Sequence, residues 1–287
     1  GLHSSRLPEG RGGAPVNWQM IYGHDGITAT LYRFVPEVDD GGILGQSTVS
    51  VEPRDDISTV YPKLTVASID LLQTFLTELS EGTVTRIEQS HAEATYYPQR
   101  KPKDGIIDWS RSPSFQWNWI RAQTTPYPGA FTFYNGQQVT IWDATVPDGQ
   151  RESGEPGEIL HVNNGQGIDV KTGDGVIRLE RLQIEGLPSM WADEAVKRSQ
   201  LSVGAMLGSP KQFPDWLYTG LRDSDGGFRY DTNIPCGEAT HVSAVCCSHT
   251  RSRSVQIEAT LDGNPVASTC VAVDGWVNKS IKIKPTV

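Results

Sequence analysis

The residues best equipped for chemistry lie near the start of the 287-residue chain. His3 stands 36 positions ahead of Asp39, with Ser5, Leu7-Pro8, Arg11-Gly12 and Pro15 in between. An imidazole takes up and returns a proton near neutral pH. One histidine can therefore remove the proton of an attacking amine and later supply one to a departing nitrogen. A carboxylate beside it would orient the ring and favour its charged form, and glycines would let the backbone approach a ligand closely. That is equipment for acyl transfer to an amine. Taken alone the signal is weak. A histidine near a chain start is more often a surface or capping residue, and an aspartate just before Gly41-Gly42 is more often a turn residue.

Elements able to bring such residues together flank them. A short helical stretch runs from Val16 to Tyr22, and Ile27 to Val35 alternates and is rich in β formers, so it reads as a strand. Gly41-Gly42 breaks it, and a second strand covers Ile43 to Val51. Val60, Leu64, Ile69, Leu72, Phe75, Leu76 and Leu79 recur at spacings of three and four, the apolar stripe of a long helix that stops at Glu81-Gly82. The polar run from Tyr96 to Gly105 marks a boundary. Beyond it come one helix (Ser112 to Thr124) and many short strands: Ala130 to Phe133, Gln138 to Ala144, Ile159 to Val162, Ile168 to Lys171 and Val176 to Gln183. Turns such as Asn135-Gly136, Asn164-Gly165 and Gly173-Asp174-Gly175 separate them at close to the spacing of a small barrel. From about Pro210 a third unit follows, with a hairpin of Ser254 to Leu261 and Val266 to Val273. The expected division is 1–97, 98–208 and 209–287.

Composition narrows the options. The chain is 37% apolar with a formal charge of −9, from 34 acidic and 25 basic residues, and its mean hydropathy is −0.38. No apolar run approaches the roughly 20 residues that span a bilayer, and no signal peptide is recognised. The acidic balance counts against nucleic acid as the main ligand, because counterion release supplies most of that affinity. Cys236, Cys246, Cys247 and Cys270 form no CxxC pair. Reduced thiols buried on strands are the expectation, a disulfide and a metal site the alternatives, and a cytoplasmic protein is expected.

A resemblance sharpens this reading. The segment His3-Ser4-Ser5-Arg6-Leu7-Pro8-Glu9-Gly10-Arg11-Gly12-Gly13-Ala14-Pro15-Val16-Asn17-Trp18 resembles the active-site stretch of the folate-dependent formyltransferases. That family's pattern is an Asn, one residue, the catalytic His, then Ser-Leu-Leu-Pro and Arg-Gly. Val38-Asp39-Asp40-Gly41-Gly42-Ile43-Leu44 is similar to the family's Leu-Asp-Thr-Gly-Asp-Ile-Leu motif, whose first Asp is catalytic. Past the linker, Gly105-Ile106-Ile107-Asp108-Trp109, Ile120-Arg121-Ala122-Gln123, Pro126-Tyr127-Pro128-Gly129-Ala130-Phe131, Val139-Thr140-Ile141-Trp142 and Thr172-Gly173-Asp174-Gly175 resemble its C-terminal barrel domain. The resemblance covers residues 1–208.

It implies an α/β fold: the second half of a Rossmann-like formyltransferase domain, then a small OB-like β-barrel, with a C-terminal all-β module beyond. It implies His3 and Asp39 as catalytic residues, folate contacts from Val35, Pro36, Glu37, Val38 and Asp39, and acceptor contacts from Arg11, Gly12, Trp18 and Tyr22. The implied co-substrate is 10-formyltetrahydrofolate, with no metal. The expected partners are a small-molecule amine and reduced folate, not a membrane, and a homodimer stays open. Two departures matter. Gly1 stands where the family has its catalytic Asn, whose amide holds the developing oxyanion, an interaction typically worth ~3 kcal/mol. The first Rossmann-like half would lie upstream, so the expectation is of a truncated piece, incomplete for activity by itself.

The acceptor is less clear than the reaction. The linker carries Arg100, Lys101 and Lys103, yet the barrel region is acidic, with Asp143, Asp148, Glu152, Glu155 and Glu158. The linker also resembles the Tyr-Pro-x-Arg-x-Pro-x-Asp-Gly form of small-molecule formyltransferases, so a nucleotide-linked amino sugar is the expectation. Hydroxyornithine, a peptidyl amine and methionyl-tRNA are the alternatives. Glycine turns at 164–167 and 173–175 lack the strand–loop–helix context of a phosphate loop. Trp109, Trp117, Trp119 and Trp142 read as packing rather than as a base-stacking platform. The last unit, with Trp216, Tyr218, Tyr230 and Trp276, would suit carbohydrate or partner binding, and equally dimerisation or capping. In the rival reading the chain binds and does not catalyse.

Overall fold

From its N-terminus the chain forms β1 (Leu2–His3), β2 (Arg11–Gly12), α1 (Pro15–Ile21), β3 (Gly26–Tyr32), β4 (Ile43–Ser50), α2 (Ile57–Glu81) and β5 (Tyr96–Tyr97). The computed structural model describes residues 1–149, 152–198 and 201–208, and beyond them the backbone of six further strands. Gly1–Gln212 is one compact unit and Phe213–Val287 a second.

Strands β1, β3 and β4 form an antiparallel sheet in the order β1-β3-β4. Successive side chains on a strand point to opposite faces, and β3 uses both. Ile27, Ala29 and Leu31 are buried on the face that α2 covers: Leu31 pairs with Gly45, where a methyl group would strike Phe75 and Leu71 of that helix. Thr28 and Thr30 point the other way, and the Thr30 hydroxyl donates to the Ser5 carbonyl at 2.6 Å.

Helix α2 starts and stops where its sequence dictates. Asp56 accepts from the Ser58 and Thr59 amides while the Thr59 hydroxyl accepts from the Asp56 amide, a capping box that satisfies amides left orphaned at a helix start. Gly82 closes the helix at φ 69, a left-handed position that glycine fills without a Cβ penalty. The expected apolar stripe divides in two. Ile57, Val60, Leu64, Ala67 and Leu71 face the sheet, whereas Ile69, Leu72, Leu76 and Leu79 remain exposed at 39–63%. The second row keeps three-and-four spacing but sits on the adjacent flank of the helix.

The following region opens with α3 (Pro113–Arg121), capped by the Ser112 hydroxyl. It continues as β6 (Ala130–Tyr134), β7 (Gln137–Thr145), β8 (Ile159–Asn163), β9 (Gly167–Lys171), β10 (Val176–Ile184) and β11 (Met190–Trp191). These strands form one antiparallel sheet in the order β6-β7-β10-β9-β8, with β11 on β10. Asn135 and Gly136 turn β6 into β7 with φ of 50 and 81, as a tight hairpin requires. A short helix α4 (Ala192–Arg198) follows, a second helix where only one was expected in this region. Fully buried Ile141, Ile159, Ile168, Ile177 and Leu179 form the core.

Between the two parts, the Arg100 guanidinium lies 4.6 Å from the ring centroids of both Trp18 on α1 and Trp119 on α3. In the second unit the described backbone pairs as three antiparallel two-stranded sheets, including 254–261 with 264–272, where the hairpin was expected. The side chains of the four cysteines and of Trp216, Tyr218, Tyr230 and Trp276 lie outside the described residues. Among the described residues no helix is long and apolar enough to cross a membrane.

Candidate active site

The site begins with a loop that folds back on the polar face of β3. After β1 the chain turns through a cis Leu7–Pro8 bond, and Ser5 Oγ donates to the Glu9 carbonyl at 2.6 Å. Gly10 takes φ 68, and its amide donates to Thr95 Oγ1 at 2.8 Å. The next two residues form β2, paired in parallel with β5 (Arg11 with Tyr96, Gly12 with Tyr97). Two residues of strand thus fasten the loop to a segment 85 positions away.

His3 faces this loop. Its Nε2 lies 2.8 Å from the Gly10 carbonyl, which only accepts, so Nε2 carries a proton and donates there. Its Nδ1 lies 3.5 Å from Asp39 Oδ2. The expected pair is therefore brought together across 36 residues of sequence, with side chains 9% and 15% exposed. Asp39 sits at φ 51, a left-handed conformation uncommon outside glycine but tolerated by aspartate. Its carboxylate is held on both oxygens: Gly12 donates its amide to Oδ2 at 2.8 Å, and the Tyr32 hydroxyl donates to Oδ1 at 2.6 Å. Burial, and then the Asp39 carboxylate, push the Tyr32 phenol well above its ordinary range, so it remains a donor.

Behind Asp39 lies a buried polar cluster. Arg11, 1% exposed, forms an ion pair from Nη2 to Asp40 Oδ1 at 2.5 Å and donates from Nη1 to the Tyr96 hydroxyl at 2.8 Å. Its Nε and Nη2 both meet Gln89 Oε1, at 3.1 and 2.7 Å. The Gln89 amide in turn donates to the carbonyls of Asp39 and Gly41, at 2.8 and 2.7 Å.

The other expected site residues are placed unevenly. Arg11, expected to contact the acceptor, is turned into the protein instead, because buried carboxylate, amide and phenol groups engage its guanidinium. Gly12 gives its amide to Asp39. Trp18 is 3% exposed, stacked on Tyr22 and Tyr97, with Nε1 donating to the Pro98 carbonyl at 2.8 Å. Tyr22 is half-buried in that stack, and Val35, Pro36, Glu37 and Val38 are exposed on the loop leading to Asp39. Gln89 and Tyr32 were not singled out from sequence, and nothing in their local sequence marks them. Arg100, read as a basic linker residue, is stacked between Trp18 and Trp119, and Trp109 and Trp119 are themselves buried. An open cavity of about 200 Å³ lies against the Ser5–Gly10 turn, bordered by Arg6, Glu9, Gln19, His24 and Tyr97. Among the described residues no group of three or more His, Cys, Asp and Glu side chains could hold a metal ion.

Residues 100–200 match the family model "Formyl transferase, C-terminal domain". Methionyl-tRNA formyltransferase from Geobacter metallireducens is 33% identical over 207 residues, and that from Bacillus licheniformis 34% over 208 residues. Each alignment covers 72% of this chain and 65% of the relative, so the chain spans about two thirds of the length of the curated relatives it matches. Among solved structures, HypX from Aquifex aeolicus aligns over 78% of this chain and 40% of its own, with TM-score 0.56 and 17% identity. A complex of HypX with tetrahydrofolic acid gives 0.54 and 16%, over 82% of this chain and 41% of its own. At such identities those structures speak to the fold, a mixed α/β arrangement, and the sequence relatives carry the kinship. The C-terminal-domain match and a third of all positions shared with two sequence relatives over some 207 residues together support a place for the chain in the folate-dependent formyltransferase family.

Proposed function

We propose that the protein transfers the formyl group of 10-formyltetrahydrofolate to a small-molecule amine, with a nucleotide-linked amino sugar as the favoured acceptor. The observation that carries this reading is the 3.5 Å approach of His3 to Asp39. The amine nitrogen adds to the formyl carbon and its proton passes to the histidine. Collapse of the adduct breaks the carbon's bond to the folate nitrogen, which leaves with a proton returned by the same ring. Asp39, held by Gly12 and Tyr32, keeps the ring oriented through this cycle. The exposed loop of Val35, Pro36, Glu37 and Val38 would receive the folate, and Gly12 and Tyr22 would lie on the acceptor side. In this reading residues 1–97 are Rossmann-like, 98–208 an OB-like barrel and 209–287 an accessory module, and the protein works in the cytoplasm.

The half-buried stacking of Arg100 between two indoles supports a small acceptor over RNA, since it withdraws one linker cation from phosphate. The names of the two sequence relatives favour a second reading, methionyl-tRNA, and hydroxyornithine or a peptidyl amine are further candidates. The test incubates the full-length protein with labelled 10-formyltetrahydrofolate and each amine class in turn. His3→Ala and Asp39→Ala should abolish transfer in a protein that stays folded, Asp39→Ala with a lowered melting temperature because Gly12 and Tyr32 lose their acceptor. Transfer that survives both substitutions would refute the mechanism. A protein that binds glycans or a partner and transfers nothing would support the binding-only alternative.

A further inference from the structure

We propose that Gln89 is a positioning residue for formyl transfer, acting through Asp39; this rests on the reading above. Gln89 touches neither His3 nor the Asp39 carboxylate. It grips the backbone on either side of Asp40 instead, because one amide nitrogen donates to both the Asp39 and the Gly41 carbonyl. The first of those bonds holds the carbonyl of Asp39 itself, the residue that takes φ 51 beside His3. Gly41 leaves no slack, since a methyl group there would strike the Arg33 carbonyl.

The amide cannot reverse its ends. Arg11 offers only donors, so the oxygen of Gln89 must face the guanidinium and the nitrogen must face the two carbonyls. Arg11 is fixed in turn by Asp40 and Tyr96, and the next residue, Gly12, holds the carboxylate of Asp39. Gln89 and the Arg11–Gly12 dipeptide therefore hold Asp39 by its backbone and by its side chain respectively. Loss of the backbone grip should let the carboxylate drift from the imidazole while substrate contacts stay intact.

The experiment compares Gln89→Glu and Gln89→Leu in the full-length protein. Glutamate keeps an acceptor for Arg11 but cannot donate to the carbonyls, and leucine removes both. Both variants should lower kcat about tenfold to a hundredfold, the scale on which a misplacement near 1 Å acts. KM for donor and acceptor should stay within about twofold, since ground-state binding is untouched. Without substrate, the His3 ring nitrogen signals, assigned by a His3→Gln variant, should move in both. Folded variants with wild-type kcat, a loss confined to KM, or unmoved His3 signals would each overturn the proposal. If leucine unfolds the protein, the glutamate variant decides, and if neither folds, Gln89 is structural only and the proposal falls. Should the wild type transfer formyl to no amine, the ring signals alone decide: moved signals keep the positioning role and remove only the transfer reading, and unmoved signals remove the positioning role.

Discussion

The hydroxyl of Tyr32 donates to Asp39 Oδ1 at 2.6 Å, so the carboxylate facing His3 is tied from behind to the strand that also aligns His3. Tyr32→Phe removes that donor and leaves a part-buried carboxylate oxygen without it. The expected cost is about 1 kcal/mol of stability, together with roughly a tenfold loss of kcat as the pair loosens. Urea unfolding and steady-state kinetics on the same samples check both numbers. Unchanged kcat would show that Gly12 alone suffices to hold the carboxylate.

Three phenols should resist ionisation. Burial pushes the pKa values of Tyr32, Tyr61 and Tyr97 upward first; then Asp39 acts on Tyr32, the neighbouring Tyr127 on Tyr61, and Tyr22 with Glu9 on Tyr97. A raised folded value means the folded state keeps the proton longer than the unfolded chain. The stability this gives is complete below about pH 10, the ordinary phenol value, and is lost as pH rises beyond it. Phenolate absorbance during alkaline titration should therefore show these three appearing last and together with unfolding, with single Tyr→Phe variants assigning them.

Asp55 behaves in the opposite sense. Burial alone would raise its carboxyl, but the Lys63 ammonium, the Glu52 amide and the Thr59 hydroxyl outweigh burial and hold it below the ordinary range. Stability from this cluster is present above about pH 4 and disappears as pH falls through the lowered folded value. Lys63→Met should cost about 1 kcal/mol at pH 7 and close to nothing at the acid end. Equal losses at pH 7 and pH 3 in urea titrations would contradict the assignment.

Arg100 between Trp18 and Trp119 should not tolerate its usual replacement. Lysine keeps the charge but lacks the plane that stacks on two indoles and the fork that reaches the Asp104 carbonyl and Gln123 Oε1, at 2.9 and 2.7 Å. Arg100→Lys should destabilise the protein by about 2 kcal/mol, the scale of a desolvated cation–π contact. Thermal melts measure this, and a variant as stable as wild type would show the stack to be incidental.

Much of the scaffold was legible because its signals are local. The Asn135-Gly136 turn, the Gly82 stop, the alternation of β3 and the spacing that starts α2 each act within a few residues. The His3–Asp39 pairing was legible only through resemblance, since neither residue announces a partner 36 positions away. Arg11 was misjudged for the same physical reason. A guanidinium after a glycine looks like a ligand-binding group until Gln89 and Tyr96, 78 and 85 positions on, are seen to engage it. The exposed flank of α2 escaped notice because three-and-four spacing marks an apolar row but does not say which of two rows meets the sheet. Helix α4 carries acids in its first turn and bases in its last, a real but short signal beside six strands' worth of β pattern.

The two faces of β3 bear on how such a protein can diverge. Ile27, Ala29 and Leu31 supply adhesion to α2 on one side, while Thr28 and Thr30 face the other, where Thr30 holds the Ser5 carbonyl of the loop beside His3. Substitutions on the threonine side can therefore reshape the loop beside the His3–Asp39 pair without thinning the oily layer beneath.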